Sequence, residues 1–378
     1  MKKYKIAILT QPLKTNYGGI LQAYALQKIL IESGNDVVTI NRKDNTYSKF
    51  RLKISRIKNQ LINKKNKTSK IMFSEKQMGF ITQYSSEFIN NKIVLSELIN
   101  SNDKISNHFK KNYYNTLVVG SDQTWRPKYS PNIYNFYLDF LNNNETKRVA
   151  YASSFGVDNW EYTAKQSKKC KKLALKFDAI SVREKSGINL CKKHLGVQAK
   201  LVLDPTLLLS KEEYIDLFKS QNLPDNKNKL YTYVLDRSNL KNDIIQYVSR
   251  ILHLKEFKNQ PKESWIEGRN KNLEDYVYPP VEGWIKGFYD AEFVITDSFH
   301  GTLFSILFNK PFLVIPNVER GVGRFTSILS QFGLENRMVT NSSEVSESLL
   351  TEKINFDEVN SKLQNLKIQS LDFLKDNI

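Results

Sequence analysis

The chain has 378 residues, a formal charge of +18, 40% hydrophobic residues and 25% charged residues. That length exceeds what one hydrophobic core usually fills, so two domains are the default, and the composition is that of an ordinary globular protein. No apolar run approaches the roughly 20 residues that span a bilayer, and the two cysteines, Cys170 and Cys191, make neither a disulfide framework nor a metal spacing. No metal and no cofactor are therefore expected.

At the N-terminus, Lys2, Lys3 and Lys5 lead into Ile6-Ala7-Ile8-Leu9. The apolar part is too short for a signal peptide and no small-residue cleavage site follows, so the stretch reads as a first strand and the expected location is the cytoplasm. Asn16-Tyr17-Gly18-Gly19 is a turn signal, and Ile20, Leu21, Tyr24, Leu26, Ile29 and Leu30 then recur at helical spacing. Gly34 closes that helix and 36–40 is a second strand, which makes one βαβ unit of a parallel sheet.

Residues 41–110 are polar, basic and mostly helical, an excursion from the sheet. Between Asn41 and Lys70 the basic residues meet the single acid Asp44. Such a segment suits the anionic inner face of a membrane or anionic substrates. Nucleic acid is disfavoured, because few aromatics stand ready to stack bases and no binding motif accompanies the charge.

Further strands are expected at 115–120, 147–153, 179–182 and 200–203, each ending in small or polar residues. Asp204-Pro205-Thr206 marks the end of a first domain, 1–205. A second α/β unit, 206–344, has strands at 230–235, 293–296 and 311–315 and helices at 243–252, 283–291 and 302–308, with 297–301 as a loop. An amphipathic helical tail, 345–378, completes the chain. Two parallel-sheet domains predict a cleft at the carboxyl ends of their strands.

The unusual residues fall at those strand ends. In Asn16-Tyr17-Gly18-Gly19, glycines would let backbone N–H groups approach a ligand, or they form a plain turn. In Gly120-Ser121-Asp122-Gln123-Thr124-Trp125, Asp122 and Gln123 could take sugar hydroxyls and Trp125 could offer a flat face, although Asp122 could equally cap a helix. Arg183 could clamp a carboxylate or phosphate, or pair internally with Glu184 or Asp204. In Asp297-Ser298-Phe299-His300-Gly301, His300 stands at a helix start with access to a ligand, where an imidazole could act as a general acid or base. Arg320 and Arg324 flank the glycines of Arg320-Gly321-Val322-Gly323-Arg324 and could cover an anion. No P-loop, nucleophile-elbow or zinc-protease motif occurs.

Taken in order, Asn16-Tyr17-Gly18-Gly19-Ile20-Leu21-Gln22-Ala23-Tyr24-Ala25-Leu26, Val119-Gly120-Ser121-Asp122-Gln123-Thr124-Trp125, Ser181-Val182-Arg183-Glu184, Leu203-Asp204-Pro205-Thr206 and Thr296-Asp297-Ser298-Phe299-His300-Gly301-Thr302 resemble the polysaccharide pyruvyl transferase family. The resemblance runs from about residue 5 to about residue 335. It implies two Rossmann-like domains facing across a cleft, as in GT-B glycosyltransferases. It implies phosphoenolpyruvate as donor, a sugar of a surface or capsular polysaccharide precursor as acceptor, free or lipid-linked, and a pyruvate ketal as product.

Arg183 matches a donor-holding arginine of the family and His300 its histidine. The second arginine of the family's Arg-x-His-Gly block is replaced by Ser298, so Arg324 or Arg320 is expected to supply that charge. On this reading His300 is the acid and Asp122 or Glu184 the base. Gly301 and Thr302 add helix N–H groups to the donor site. Asn16, Tyr17, Gly18, Gly19, Gln123 and Trp125 face the acceptor. Two other readings fit the architecture: a GT-B glycosyltransferase using a nucleotide sugar, and a non-catalytic polysaccharide-assembly protein.

Overall fold

The computed structural model describes residues 3–43, 73–142, 145–263, 272–317 and 320–378. Among the described residues ten strands form two parallel sheets. The first holds β1 (Lys5–Leu9), β2 (Asp36–Thr39), β3 (Thr116–Val119), β4 (Lys147–Ser153), β5 (Ala179–Val182) and β6 (Lys200–Leu201) in the order β2-β1-β3-β4-β5-β6. The second holds β7 (Lys229–Tyr233), β8 (Lys255–Phe257), β9 (Phe293–Thr296) and β10 (Phe312–Val314) in the order β10-β9-β7-β8. Central strands β3 and β9 are buried along their whole length. Such uninterrupted apolar runs are what a parallel sheet covered by helices on both faces requires.

Three apolar clusters fill the layers. One runs through both halves, from Ile6 and Leu26 to Trp284, Phe304 and Phe373. A second lies on the other face of the first sheet, around Leu9, Val119, Trp125 and Val182. A third covers the far face of the second sheet, around Leu230, Ile244 and Ile295. The C-terminal helix Phe356–Asn377 returns to the first half, where Ser370 Oγ accepts the Leu203 N–H at 2.9 Å and Phe373 packs 6.1 Å from Tyr151. The fold is thus α/β with two facing Rossmann-like halves.

Several local expectations shift. The excursion does not simply leave the sheet: its end comes back along β2, with Thr39 bridged to Leu95 and Arg42 to Ile99. Residues 44–70 of the basic stretch lie outside the described residues. Helix Phe299–Leu307 starts three residues earlier than the periodicity suggests, because Ser298 Oγ caps it by accepting the Gly301 N–H at 3.3 Å. His300 therefore sits inside the first helical turn and not in a loop. Strand β8 is an addition, because its Lys-Glu-Phe sequence carries no apolar run.

Candidate functional site

The carboxyl ends of β1, β3, β7 and β9 open onto one cleft of about 720 Å³. Asn16, Tyr17, Asp122 and Gln123 reach it from the first half. Ser298, His300, Arg320 and Arg324 reach it from the second. The two halves touch so closely that glycine is required at the seam. A Cβ on Gly18 would fall 2.1 Å from the His300 ring. Gly321, at φ +90°, leaves its own Cβ position 2.1 Å from the Gly156 carbonyl. These glycines admit close packing between the halves.

Beneath the cleft lies a buried charge network. Arg183 is 1% exposed. It donates to Asp204 Oδ2 at 2.6 Å and to Asp122 Oδ1 at 3.3 Å, and its guanidinium lies 4.5 Å from the centre of the Phe299 ring. Ser121 Oγ donates to the same Asp204 oxygen at 2.8 Å, and Asn16 Nδ2 donates to Asp122 Oδ2 at 3.1 Å. Burial alone would raise the Asp204 carboxyl, but the neighbouring imidazole of His300 and the Arg183 guanidinium hold it far below the usual carboxylate range. Asp122 adopts φ +72°, a strained conformation for a non-glycine residue. It is held there by partners on both carboxylate oxygens.

Arg324 has a different fate. It lines the cleft, is 7% exposed, and has no carboxylate within ion-pair distance among the described residues. One Nη donates to the Arg320 carbonyl at 2.8 Å, while its Nε has no hydrogen-bond partner. Burial, with the like charge of Arg183 second, pushes its pKa down to about 10. Arg320 is already committed to Asp236 at 2.7 Å. The Glu184 and Asp122 carboxylates oppose the downward shift of Arg324 from beyond ion-pair distance, so an anion entering the cleft would find Arg324 without a direct partner and Arg320 taken.

Seven expected site residues take other places. Arg183 is not at the cleft surface, since its charge is spent on Asp204 and Asp122. Glu184 is buried away from the cleft, with Oε1 accepting the Phe155 N–H at 2.8 Å and burial raising its carboxyl. Trp125 is core: its ring stacks 5.0 Å from Tyr137 and its indole N–H goes to the Phe136 carbonyl. Gly301 is small because a Cβ there would meet Thr296 Oγ1 at 2.2 Å, and Thr302 Oγ1 is turned back to the Ser298 carbonyl. Gly18 packs under His300, and a Cβ on Gly19 would press on Asn16 and Asp122. Tyr17 lines the cleft, but its hydroxyl is used by the Pro279 carbonyl at 2.8 Å. Gln123 lines the cleft, and its side-chain Oε1 accepts from the Arg126 guanidinium at 3.0 Å.

Cleft residues not anticipated include Arg237, Lys258, Tyr233 and Tyr278. Arg237 follows the end of β7, the same strand-end signal that pointed to Asp122. Among the described residues no cluster of histidine, cysteine or carboxylate side chains could hold a metal, and no helix is long and apolar enough to cross a membrane.

The family described as polysaccharide pyruvyl transferase matches residues 16–318. No curated protein matches the chain in sequence. Similar solved structures include S. aureus MnaA with UDP, at 11% identity and TM-score 0.53, covering 95% of this chain and 90% of that one. A glycosyltransferase from Rickettsia africae matches at 11% identity and TM-score 0.50, covering 100% and 94%. A UDP-GlcNAc 2-epimerase from Methanocaldococcus jannaschii, in complex with UDP-GlcNAc and UDP, matches at 11% identity and TM-score 0.50, covering 96% and 99%. At such identities the likeness is one of fold, the two-domain GT-B arrangement.

Proposed function

The chain belongs to the polysaccharide pyruvyl transferase family, and from that premise we propose that it transfers a pyruvyl group from phosphoenolpyruvate to a sugar of a surface polysaccharide precursor, forming a ketal. Family membership carries a transferase of polysaccharide biosynthesis; donor, ketal and site roles are our reading. The observation that supports it most is Arg324, a buried guanidinium at the cleft with no carboxylate within ion-pair distance among the described residues. A small, highly charged anion is the ligand that relieves such a group. Arg324 thereby takes the place of the family arginine that Ser298 has replaced.

In this reading Arg324 holds the carboxylate or phosphate of the donor, and His300 protonates the methylene carbon. The electron pair of the C–C double bond takes up that proton, leaving a cationic centre at the adjacent carbon. A sugar hydroxyl attacks it, the C–O bond to phosphate breaks, and a second hydroxyl closes the ketal. Of the two hydroxyl protons, one balances the new methyl group and the other leaves with phosphate. Asp122, a carboxylate at the cleft, would accept a hydroxyl proton. The acceptor, free or lipid-linked, would occupy the space beside Asn16, Gln123 and Asp122. The basic stretch suits work at the inner face of a membrane.

The test is phosphate release from phosphoenolpyruvate in the presence of acceptor sugars. His300→Ala should lower the rate by about 10²–10⁴-fold, the usual contribution of a positioned acid, without lowering the melting temperature. Near-normal turnover in that variant removes His300 from the chemistry. A glycosyltransferase using a nucleotide sugar would instead show stabilisation by that nucleotide sugar and none by phosphoenolpyruvate.

A further inference from the structure

We infer that Asp204 is a positioning residue for His300, fixing its tautomer and ring orientation across the boundary between the two halves. The inference rests on the reading of His300 as proton donor given above.

Asp204 follows β6 and caps the short helix Pro205–Leu207. Its carboxylate is buried and held by donors from three separate stretches of chain. Oδ1 accepts the Thr206 N–H at 3.0 Å and Thr206 Oγ1 at 2.8 Å. Oδ2 accepts Arg183 at 2.6 Å and Ser121 Oγ at 2.8 Å. Such a set leaves the carboxylate ionised and with a fixed aim. His300 Nε2, from the other half, lies 3.6 Å from Oδ2. That is longer than a hydrogen bond but close enough for a strong electrostatic preference in a water-poor setting.

Nε2 is enclosed and has no hydrogen-bond partner among the described residues. A lone pair on Nε2 would face the carboxylate oxygen and be repelled, whereas an N–H there is attracted. Nε2 therefore keeps its proton, and the proton that His300 delivers to the donor is the one on Nδ1 of the imidazolium, which leaves the Nε2–H tautomer behind. Gly18 packs against the Cγ and Nδ1 atoms of the ring, where a Cβ would fall 2.1 Å from each. A carboxylate needed only to neutralise Arg183 has no reason to lie against an imidazole of the opposite half. The aim of Asp204 thus gives Arg183 its place in the account. It does not touch donor; it anchors the carboxylate that orients the acid.

The test is a double-mutant cycle. Asp204→Asn should lower kcat for phosphate release about 10²-fold, the scale of a misplaced reacting group, with KM for phosphoenolpyruvate unchanged. The same substitution in the His300→Ala background should cost nothing further. Nitrogen-15 NMR of the ligand-free protein should show His300 protonated on Nε2 in the wild type and not held in that tautomer in Asp204→Asn. Should Asp204→Asn not fold, Thr206→Val keeps the charge but loosens its aim, and predicts a smaller fall in kcat that again vanishes without His300. An equal loss in both backgrounds, or a tautomer indifferent to Asp204, overturns the inference. Should the wild type release no phosphate from phosphoenolpyruvate while the tautomer still depends on Asp204, the donor assignment fails and the positioning role stands.

Discussion

Arg183 and Arg324 both follow short segments rich in small or strand-forming residues, and only their neighbours separate them. Asp122 and Asp204, 61 and 21 positions away in sequence, surround Arg183, so its neutralisation is a property of the fold and not of the Ser-Val-Arg-Glu motif. Arg324 has no carboxylate within ion-pair distance among the described residues; its charged neighbours include Arg183 and, beyond that distance, Glu184 and Asp122. Trp125 makes the same point for apolar side chains. A tryptophan after Gly-Ser-Asp-Gln-Thr at a strand end could face a sugar or the core, and its neighbours Tyr137, Phe155 and Phe177 put it in the core. Trp125→Ala should therefore destabilise the protein by about 3–5 kcal/mol in urea unfolding, the cost of emptying a buried aromatic site. A variant of unchanged stability whose KM for acceptor rises would return Trp125 to the cleft.

Strands were the most legible elements, because fully covered parallel strands must be apolar throughout: β1, β3 and β9 read directly from their runs. Helix starts were harder. Phe299-His300 looks like loop until the Ser298 cap and the Gly301–Thr296 contact are known, and both depend on where β9 ends. The helix Tyr17–Glu32 was readable from its spacing, but the reason for its glycines was not, since the atom that demands Gly18 belongs to His300, 282 residues away. This gives an element-scale prediction. Gly18→Ala should favour the helix itself by roughly 1 kcal/mol, as alanine does over glycine. It should nevertheless displace His300 and reduce turnover about 10²-fold. Melting temperature and kcat measured together check this; a variant with wild-type kcat would mean that His300 tolerates displacement.

At the scale of the whole molecule, the order of motifs along the chain anticipated two parallel sheets and a shared cleft. What that order could not give was which motif residues face the cleft and which lie beneath it. The answer comes from how far the halves approach one another, set by side-chain contacts at the seam: Gly18 under His300, Gly321 against Gly156, and Lys185 N–H donating to Ser327 Oγ at 3.0 Å. The C-terminal helix adds a further tie by returning to β6 through Ser370. The cleft's hold on an anion rests on Arg324, a buried cation there with no ion-pair partner among the described residues.

Calorimetric titration of phosphoenolpyruvate into the wild type and into Arg324→Met tests this directly. Loss of charge-assisted hydrogen bonds worth about 1.5–3 kcal/mol should weaken binding roughly 10- to 100-fold. The ligand-free variant should melt no lower than the wild type, since it gives up an unpaired buried charge. Equal affinity in the two proteins, or no binding to either, would contradict the account.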